Sequence, residues 1–349
     1  MPLFEHFSSM EIARNLKAFL RLEAGVTRDG TPRANSRPDQ SREIERLRGE
    51  LARRGGEKPA LGGGPGGGPR PENIVWIFSS GRSGTTWVRD MMRDLPGHWA
   101  WEEPRVGSFV GNFYNNSGPN QLKARNFILS ETHRGVWMKA IRSLVLDGAA
   151  ARFPDMGPED YLVIKEPNGS EGAPLLMEAL PESRMLFIVR DPRDVVSSTL
   201  DGAREGNWLY ERNNKGNWRS ARKADTEPDE FIKGPARRYQ EKVSKAKEAY
   251  DAHEGRKAFV RYEELNADAL GSMKRIYSEL GLYVDERKLE QVVKKHSWEN
   301  IPDKKKGDGK FYRKASPGGW KEDLTPQQVE TVEKITAPLI EEYYTRSTS

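Results

Sequence analysis

The sequence predicts an α/β fold: a three-layer domain whose central parallel sheet is covered by helices on both faces, preceded by an N-terminal helical extension. Three observations predict it. From Asn73 onward, strand-like apolar runs alternate with helical patterns, as parallel strands joined by crossover helices require. Two of those runs, at 74–78 and 185–189, end in polar turns that lead straight into a helical pattern, which is how a strand delivers an anion to a helix N-terminus. The stretch before Asn73 differs in composition and ends in a Gly/Pro run.

In chain order, the extension occupies residues 1–54. Residues 10–23 place Ile12, Leu16, Phe19 and Leu20 on one helical face, with Arg14, Lys17 and Arg21 elsewhere. Residues 41–54 predict a second, highly charged helix with Ile44, Leu47 and Leu51 on one face. The first helix is suited to docking on the following domain or on a partner subunit; its basic flanks also suit a peripheral contact with a membrane surface. Residues 55–72, with Gly62-Gly-Gly-Pro-Gly-Gly-Gly-Pro69, cannot pack a core and form a flexible linker. Residues 73–349 are expected to form the α/β domain. Its candidate strands are 74–78, 161–164, 185–189 and 258–260, with helices expected after Thr86, Gly172, Asp191, Pro235, Asn266 and Thr325.

The segment Ile74-Val-Trp-Ile-Phe-Ser-Ser-Gly-Arg-Ser-Gly-Thr-Thr-Trp87 is the most informative. Small residues let backbone N–H groups approach anionic oxygens, Ser and Thr add hydroxyl donors, and Arg82 adds fixed charge. It departs from the Walker A loop, which needs Lys directly after its last Gly: Gly84 is followed by Thr85 and Thr86. The second turn lies in Met185-Leu-Phe-Ile-Val-Arg-Asp-Pro-Arg-Asp-Val-Val-Ser-Ser198. There Asp191 suits an N-cap and Pro192 the first helical turn, and Ser198 follows Arg190 by eight positions.

Arg82-Ser-Gly-Thr-Thr-Trp87 resembles the 5′-phosphosulfate loop of sulfotransferases, enzymes with a P-loop-like domain that use 3′-phosphoadenosine 5′-phosphosulfate (PAPS) and release 3′-phosphoadenosine 5′-phosphate (PAP). The resemblance extends from about Asn73 to Tyr343 and implies a binding site residue by residue. Arg82, Ser83, Gly84, Thr85 and Thr86 would cradle the 5′-phosphate, and Trp87 would stack on adenine. Arg190 and Ser198 match the family's Arg and Ser that hold the 3′-phosphate. Val260-Arg-Tyr-Glu-Glu-Leu265 resembles a strand-end motif that puts Tyr262 near the base, and His296-Ser-Trp-Glu-Asn300 offers Trp298 as its companion. Phe311-Tyr-Arg-Lys-Ala-Ser-Pro-Gly-Gly-Trp-Lys321 resembles the segment that closes over the 3′-phosphate. Arg313 and Lys314 fit it, while Ala315 replaces the family's Gly.

Sulfuryl transfer needs the acceptor deprotonated, the moving charge balanced, the leaving phosphate stabilised and the partners in line. Arg82 is the candidate for the leaving phosphate and sulfuryl oxygens. Lys165, in Val163-Ile-Lys-Glu-Pro167, resembles the transition-state lysine of tyrosylprotein sulfotransferases. Those enzymes place a catalytic Glu after the loop at the spacing that separates Arg82 from Glu103, within Glu102-Glu-Pro-Arg105. Glu103 is the expected base, partly desolvated by Trp99 and Trp101; Glu102, Glu166 and His133 are the alternatives. No metal is expected, since a sulfuryl group carries less charge than a phosphoryl group.

The acceptor is expected to be a hydroxyl on a small metabolite, sugar or glycan, lipid or phenol. A P-loop-type small-molecule kinase and an inactive PAP-binding scaffold are the competing readings. Residues 201–233, with Trp208, Tyr210 and Trp218, form either a cover over the acceptor or a surface loop. Residues 304–310 form a basic loop, and Thr325 with Pro326 opens the last helix. A net charge of +5 suits an anionic nucleotide and an anionic acceptor, and also nucleic acid. No zinc spacing, helix–turn–helix pattern or RNA-binding aromatic motif points to nucleic acid. The absence of Cys excludes disulfides, thiolate metal sites and Cys catalysis. With no transmembrane run or secretory signal, a cytoplasmic enzyme is expected.

Overall fold

Ile74–Phe78 (β1) is apolar throughout and buried at every residue, as a strand covered on both faces requires. The computed structural model describes residues 68–213, 223–314 and 316–345. The two N-terminal helices, nearly all of the linker, Trp218 and Ala315 lie outside the described residues. Around β1 stand His98–Glu102 (β2), Tyr161–Lys165 (β3), Arg184–Val189 (β4) and Lys257–Arg261 (β5). They form one sheet in the order β2-β3-β1-β4-β5, parallel at every pairing.

The longer helices are Thr85–Arg93 (α1), Val106–Asn115 (α2), Arg134–Arg152 (α3), Ala173–Ala179 (α4), Pro192–Ala203 (α5), Lys233–Ala252 (α6), Ala269–Leu280 (α7), Glu286–Lys295 (α8) and Pro326–Tyr344 (α9). Alternation along the strands decides which layer each side chain joins. Val75, Ile77, Val163, Leu186 and Ile188 pack with Val88, Met91, Ile276 and Leu289 from α1, α7 and α8. Trp76, Phe78, Leu162, Ile164 and Phe187 pack with Ile141, Leu176, Val243 and Leu339 from α3, α4, α6 and α9. The chain leaves β1 toward β2 on one side and leaves β4 toward β5 on the other. The strand order therefore reverses between β1 and β4, and the crevice at their C-terminal ends is where such sheets bind ligands.

The structure adds a strand that the apolar pattern did not predict. In β2 no residue is buried outright, because it lies at the sheet's edge. Trp99 and Trp101 turn to the core, where their rings lie 5.8 and 6.0 Å from that of Phe153. His98 and Glu102 project from the other face. Helix α6 starts at Lys233, so Pro235 lies inside its first turn rather than ahead of it. Among the described residues of the segment 201–233 are two short helices, Trp208–Asn213 and Pro228–Phe231.

Helix α2 and the 3-10 turn Pro167–Gly172 approach each other backbone to backbone. A Cβ added at Gly107 would overlap the Gly169 carbonyl, and one at Gly111 would meet the Gly172 nitrogen at 2.5 Å. This contact fixes the turn that carries Asn168, which belongs to the site described below. Gly107→Ala is expected to destabilise the domain by about 1–3 kcal/mol through overpacking against rigid backbone. Urea denaturation measures it; an unchanged midpoint would mean that the two segments have room to separate.

Candidate active site

The turn after β1 is held in uncommon backbone conformations. Gly84 has φ 84°, and a Cβ there would lie 2.6 Å from a Tyr262 ring carbon, so glycine is needed both for conformation and for space. Among the described residues, three other than Gly have positive φ: Arg82 at 70°, Glu103 at 45° and Arg105 at 62°. All three lie in the turns after β1 and β2, the pattern expected where strain is retained for function. Ser83 is buried with its Oγ 2.9 Å from that of Ser80, so it offers its backbone to the crevice rather than its hydroxyl. Thr85 and Thr86 open α1.

The turn after β4 meets the first turn directly. Arg190 Nη1 donates to the Arg82 carbonyl at 3.0 Å, and its guanidinium lies 4.3 Å over the Tyr262 ring. The Asp191 carboxylate caps α5 by accepting from the Arg193 N–H at 2.8 Å. Arg82 in turn donates from Nε to Ser198 Oγ at 2.9 Å and from Nη2 to the Phe311 carbonyl at 2.7 Å. Its guanidinium lies 4.8 Å from the rings of both Trp208 and Phe311. Burial, with the Arg190 charge beside it, pushes the Arg82 pKa down to about 10, so it stays cationic at neutral pH.

Arg313 and Lys314 reach the same crevice from the C-terminal segment. Arg313 Nη1 donates to Ser197 Oγ at 3.0 Å and its Nη2 pairs with Asp323. Lys314 Nζ lies 3.0 Å from both Glu322 and Asp323. Asp194 accepts from the N–H groups of Gly318 and Trp320 at 2.8 and 3.1 Å, which ties the segment to α5. Arg190 Nε is buried and has no hydrogen-bond partner among the described residues. An orphaned guanidinium N–H beside Arg82, Ser198, Arg313 and Lys314 is a donor set that fits a phosphate.

The far end of the crevice is organised by Lys165. Its buried Nζ lies 3.2 Å from Thr86 Oγ1, 3.0 Å from Glu102 Oε1 and 3.1 Å from Glu103 Oε1. The Glu103 N–H donates to the Lys165 carbonyl at 2.9 Å, and Asn168 Nδ2 donates to Glu103 Oε2 at 2.7 Å. Glu102 also accepts from Arg89 Nη1 at 3.1 Å. Burial works against its charge, but hydrogen bonding and attraction from Lys165, helped by Arg89, hold the Glu102 carboxyl below its usual range. The Glu102 side chain is 53% exposed and that of Glu103 is 18%.

The other candidate bases lie elsewhere. Glu166 is fully buried and accepts the Arg105 N–H on Oε2 at 3.0 Å; it braces the Glu103 turn and does not line the crevice. His133 Nε2 lies 2.8 Å from the Arg125 carbonyl, ahead of α3 and away from the crevice. Trp99 and Trp101 belong to the core and do not shield the carboxylates as expected.

Arg82, Gly84, Thr85, Thr86, Trp87, Glu102, Glu103, Lys165, Arg190, Ser198, Tyr262, Trp298, Arg313 and Lys314 all line one cleft of about 280 Å³. The Trp87 ring stands edge-on to that of Tyr262 at 6.4 Å, and its Nε1 donates to the His296 carbonyl at 2.9 Å. Trp298 has Lys306 Nζ 5.1 Å from its ring. The sequence did not single out Asn168, Arg238, Lys242 or Phe311, which line the same cleft. Asn168 carries no pattern of its own, and Arg238 and Lys242 sit in a helix so rich in charge that only its packing shows which residues face inward.

A family model, that of the sulfotransferase family, matches residues 75–286. No curated protein matches the chain in sequence. Similar solved structures include a mouse sulfotransferase complexed with PAP, 16% identical over 77% of this chain and 85% of its own, with TM-score 0.46. Sulfotransferase STF9 from Mycobacterium avium is 14% identical over 79% of this chain and 78% of its own, with TM-score 0.48. A sulfotransferase from Alicyclobacillus acidocaldarius is 12% identical over 78% and 93%, with TM-score 0.41.

Burial, with the Glu103 and Glu171 charges adding to it, raises the Glu166 pKa from 4.5 to about 7. Between those values the folded state holds a proton that the unfolded chain has released, so stability falls as pH rises through 7. The loss is expected to be at most about 3 kcal/mol between pH 5 and 8. Glu166→Gln keeps an acceptor for the Arg105 N–H and should flatten this dependence in urea unfolding. A pH dependence identical to that of the parent would show that Glu166 does not hold the proton.

Proposed function

Because the chain belongs to the sulfotransferase family, we propose that it moves the sulfuryl group of PAPS in line to a hydroxyl of a small metabolite, sugar, lipid or phenol, with Glu103 as general base. The observation that carries this reading is the junction of the two turns: Arg190 Nη1 reaches the Arg82 carbonyl at 3.0 Å, so both turns face one cleft. PAPS, when bound, supplies an activated sulfuryl group on a phosphate leaving group. The N–H groups of residues 83–86 and the Thr85 and Thr86 hydroxyls hold its 5′-phosphate. Arg190, Ser198, Arg313 and Lys314 hold the 3′-phosphate, and Trp87, Tyr262 and Trp298 supply flat walls for adenine.

Glu103 accepts the hydroxyl proton. Its Oε1 faces Lys165 and its Oε2 the neutral amide of Asn168, and a carboxylate keeps further lone pairs for an incoming O–H. Glu102 has both oxygens on cations and is the poorer proton acceptor. Arg82 and Lys165 stabilise charge on the sulfuryl and leaving oxygens. The absence of a Walker A lysine after Gly84 disfavours the kinase reading.

Calorimetric titration with PAP and AMP tests the donor site. PAP is expected to bind about 10- to 100-fold more tightly than AMP, through charge-assisted hydrogen bonds to the extra phosphate, and Arg190→Ala should erase most of that difference. Equal affinities in the parent protein would remove the 3′-phosphate site. With radiolabelled PAPS, Glu103→Gln is expected to lower transfer by about 10²- to 10⁴-fold while PAP affinity stays within about two-fold. Normal transfer would assign the base elsewhere, and PAP binding without transfer to any acceptor in the parent would mark a binding scaffold.

A further inference from the structure

One wall of the cleft is a face of α6. Pro235, Arg238, Tyr239 and Lys242 line it at the i, i+3, i+4, i+7 spacing that stacks side chains along one side of a helix. Tyr239 belongs to the nucleotide end, since its hydroxyl donates to the Arg190 carbonyl at 2.6 Å. The two cations belong to the other end. Lys242 Nζ donates to the Asn168 carbonyl at 3.0 Å, and the amide of that same Asn168 donates to Glu103 Oε2. The Lys242 ammonium therefore stands one residue removed from the carboxylate proposed as base.

The charge on this wall is only partly balanced. The nearest carboxylate to Lys242 is that of Glu171, at 3.9 Å. Burial lowers the Lys242 pKa; Glu171 and Glu103 act against that shift, and Arg238 adds to it. Arg238, one turn earlier, is exposed and makes no hydrogen bond or ion pair with the described residues. The cations at the nucleotide end differ: Arg313 and Lys314 are each paired with carboxylates. The charged groups acting most strongly on Arg82 are Arg190, Tyr262, Asp201 and Arg313, with neither α6 cation among them. The cleft thus holds two separate centres of positive charge. Leu209 and Pro235, with the Trp208 ring over Arg82, give the cleft apolar surface.

We propose that the second centre selects the acceptor: a molecule with an apolar body that presents its hydroxyl to Glu103 and an anionic group, carboxylate, phosphate or sulfate, to Arg238 and Lys242. Lys242 is largely buried with its nearest carboxylate 3.9 Å away, so its charge is only partly compensated, and an acceptor bearing an anion relieves that cost where an uncharged one does not. This rests on the sulfotransferase reading and narrows its acceptor class.

The test uses the full chain saturated with PAP and three phenols of matched shape: 3-(4-hydroxyphenyl)propionate, 4-ethylphenol and tyramine. The carboxylate is expected to bind at least ten-fold more tightly than 4-ethylphenol, with tyramine the weakest. Arg238→Glu should reverse the order of carboxylate and amine, and the Arg238→Gln, Lys242→Gln double variant should shrink the preference to under two-fold. PAP affinity, measured on the same samples, reports whether each variant is folded. Equal binding of the three phenols, or a preference that survives the double variant, overturns the proposal. Failure of the parent to bind PAP overturns the donor-site reading instead, so the two outcomes are told apart.

Discussion

The site is assembled around one buried ammonium. Lys165 ends β3 in register with Ile77 of β1 and Glu102 of β2, so the sheet brings three chain segments to it before any side chain acts. An unpaired cation at that depth would cost several kcal/mol. Thr86, Glu102 and Glu103 meet it from α1 and from the end of β2. This explains why two adjacent carboxylates are tolerated: each is a counterion to Lys165, and Arg89 adds a second cation for Glu102. Replacing Lys165 by a neutral residue would leave two carboxylates facing each other at the mouth of the cleft. The sheet register and the charge pattern are therefore one constraint, in which strand pairing sets the positions and electrostatics selects the residue types.

Backbone strain follows from the same demand. Consecutive strand residues point to opposite faces, so Glu102 and Glu103 cannot both reach Lys165 while the chain stays extended. The left-handed φ of Glu103, followed by Pro104 and the left-handed φ of Arg105, bends the chain where β2 ends. The Arg105 N–H turned inward by that bend is taken up by Glu166, and Glu166 lies beneath because Gly169 leaves room for its carboxylate. Each such conformation costs about 1–3 kcal/mol and persists only when its surroundings enforce it. Here the enforcement is a buried hydrogen bond on one side of the bend and the Lys165 ion pairs on the other.

Much of this was legible in the sequence, and the limits have physical causes. The apolar runs of β1, β3 and β4 were plain because strands buried on both faces need continuous apolar residues. The turns after β1 and β4 were plain because close approach to an anion restricts residue types. β2 was missed because an edge strand need bury only one face, and its alternating His-Trp-Ala-Trp-Glu pattern is too short to stand out. Glu166 and His133 shared the right chemistry with Glu103, and only the folded chain separates a brace beneath the turn and a distant loop residue from a group at the cleft. Trp208 was noticed as an aromatic in a polar stretch, but its contact with Arg82 depends on how residues 201–213 fold back across α5.

The same geometry concentrates positive charge that the modest net charge of the chain does not supply. A net charge of +5 spread over 349 residues creates little field, and salt would screen most of it. What matters is that the cleft walls carry Arg82, Lys165, Arg190, Arg238, Lys242, Arg313 and Lys314, with the carboxylates that balance them set among and behind them. Asp323 and Glu322 hold Arg313 and Lys314 from the closing segment, and Asp194 holds that segment by its backbone. Those contacts keep the cations oriented at a cost much smaller than that of holding them bare. Under the proposed function, a phosphate entering there would compete with the carboxylates already paired with Arg313 and Lys314. At the α6 end no comparable carboxylate meets Arg238, and a ligand anion there has no such competitor.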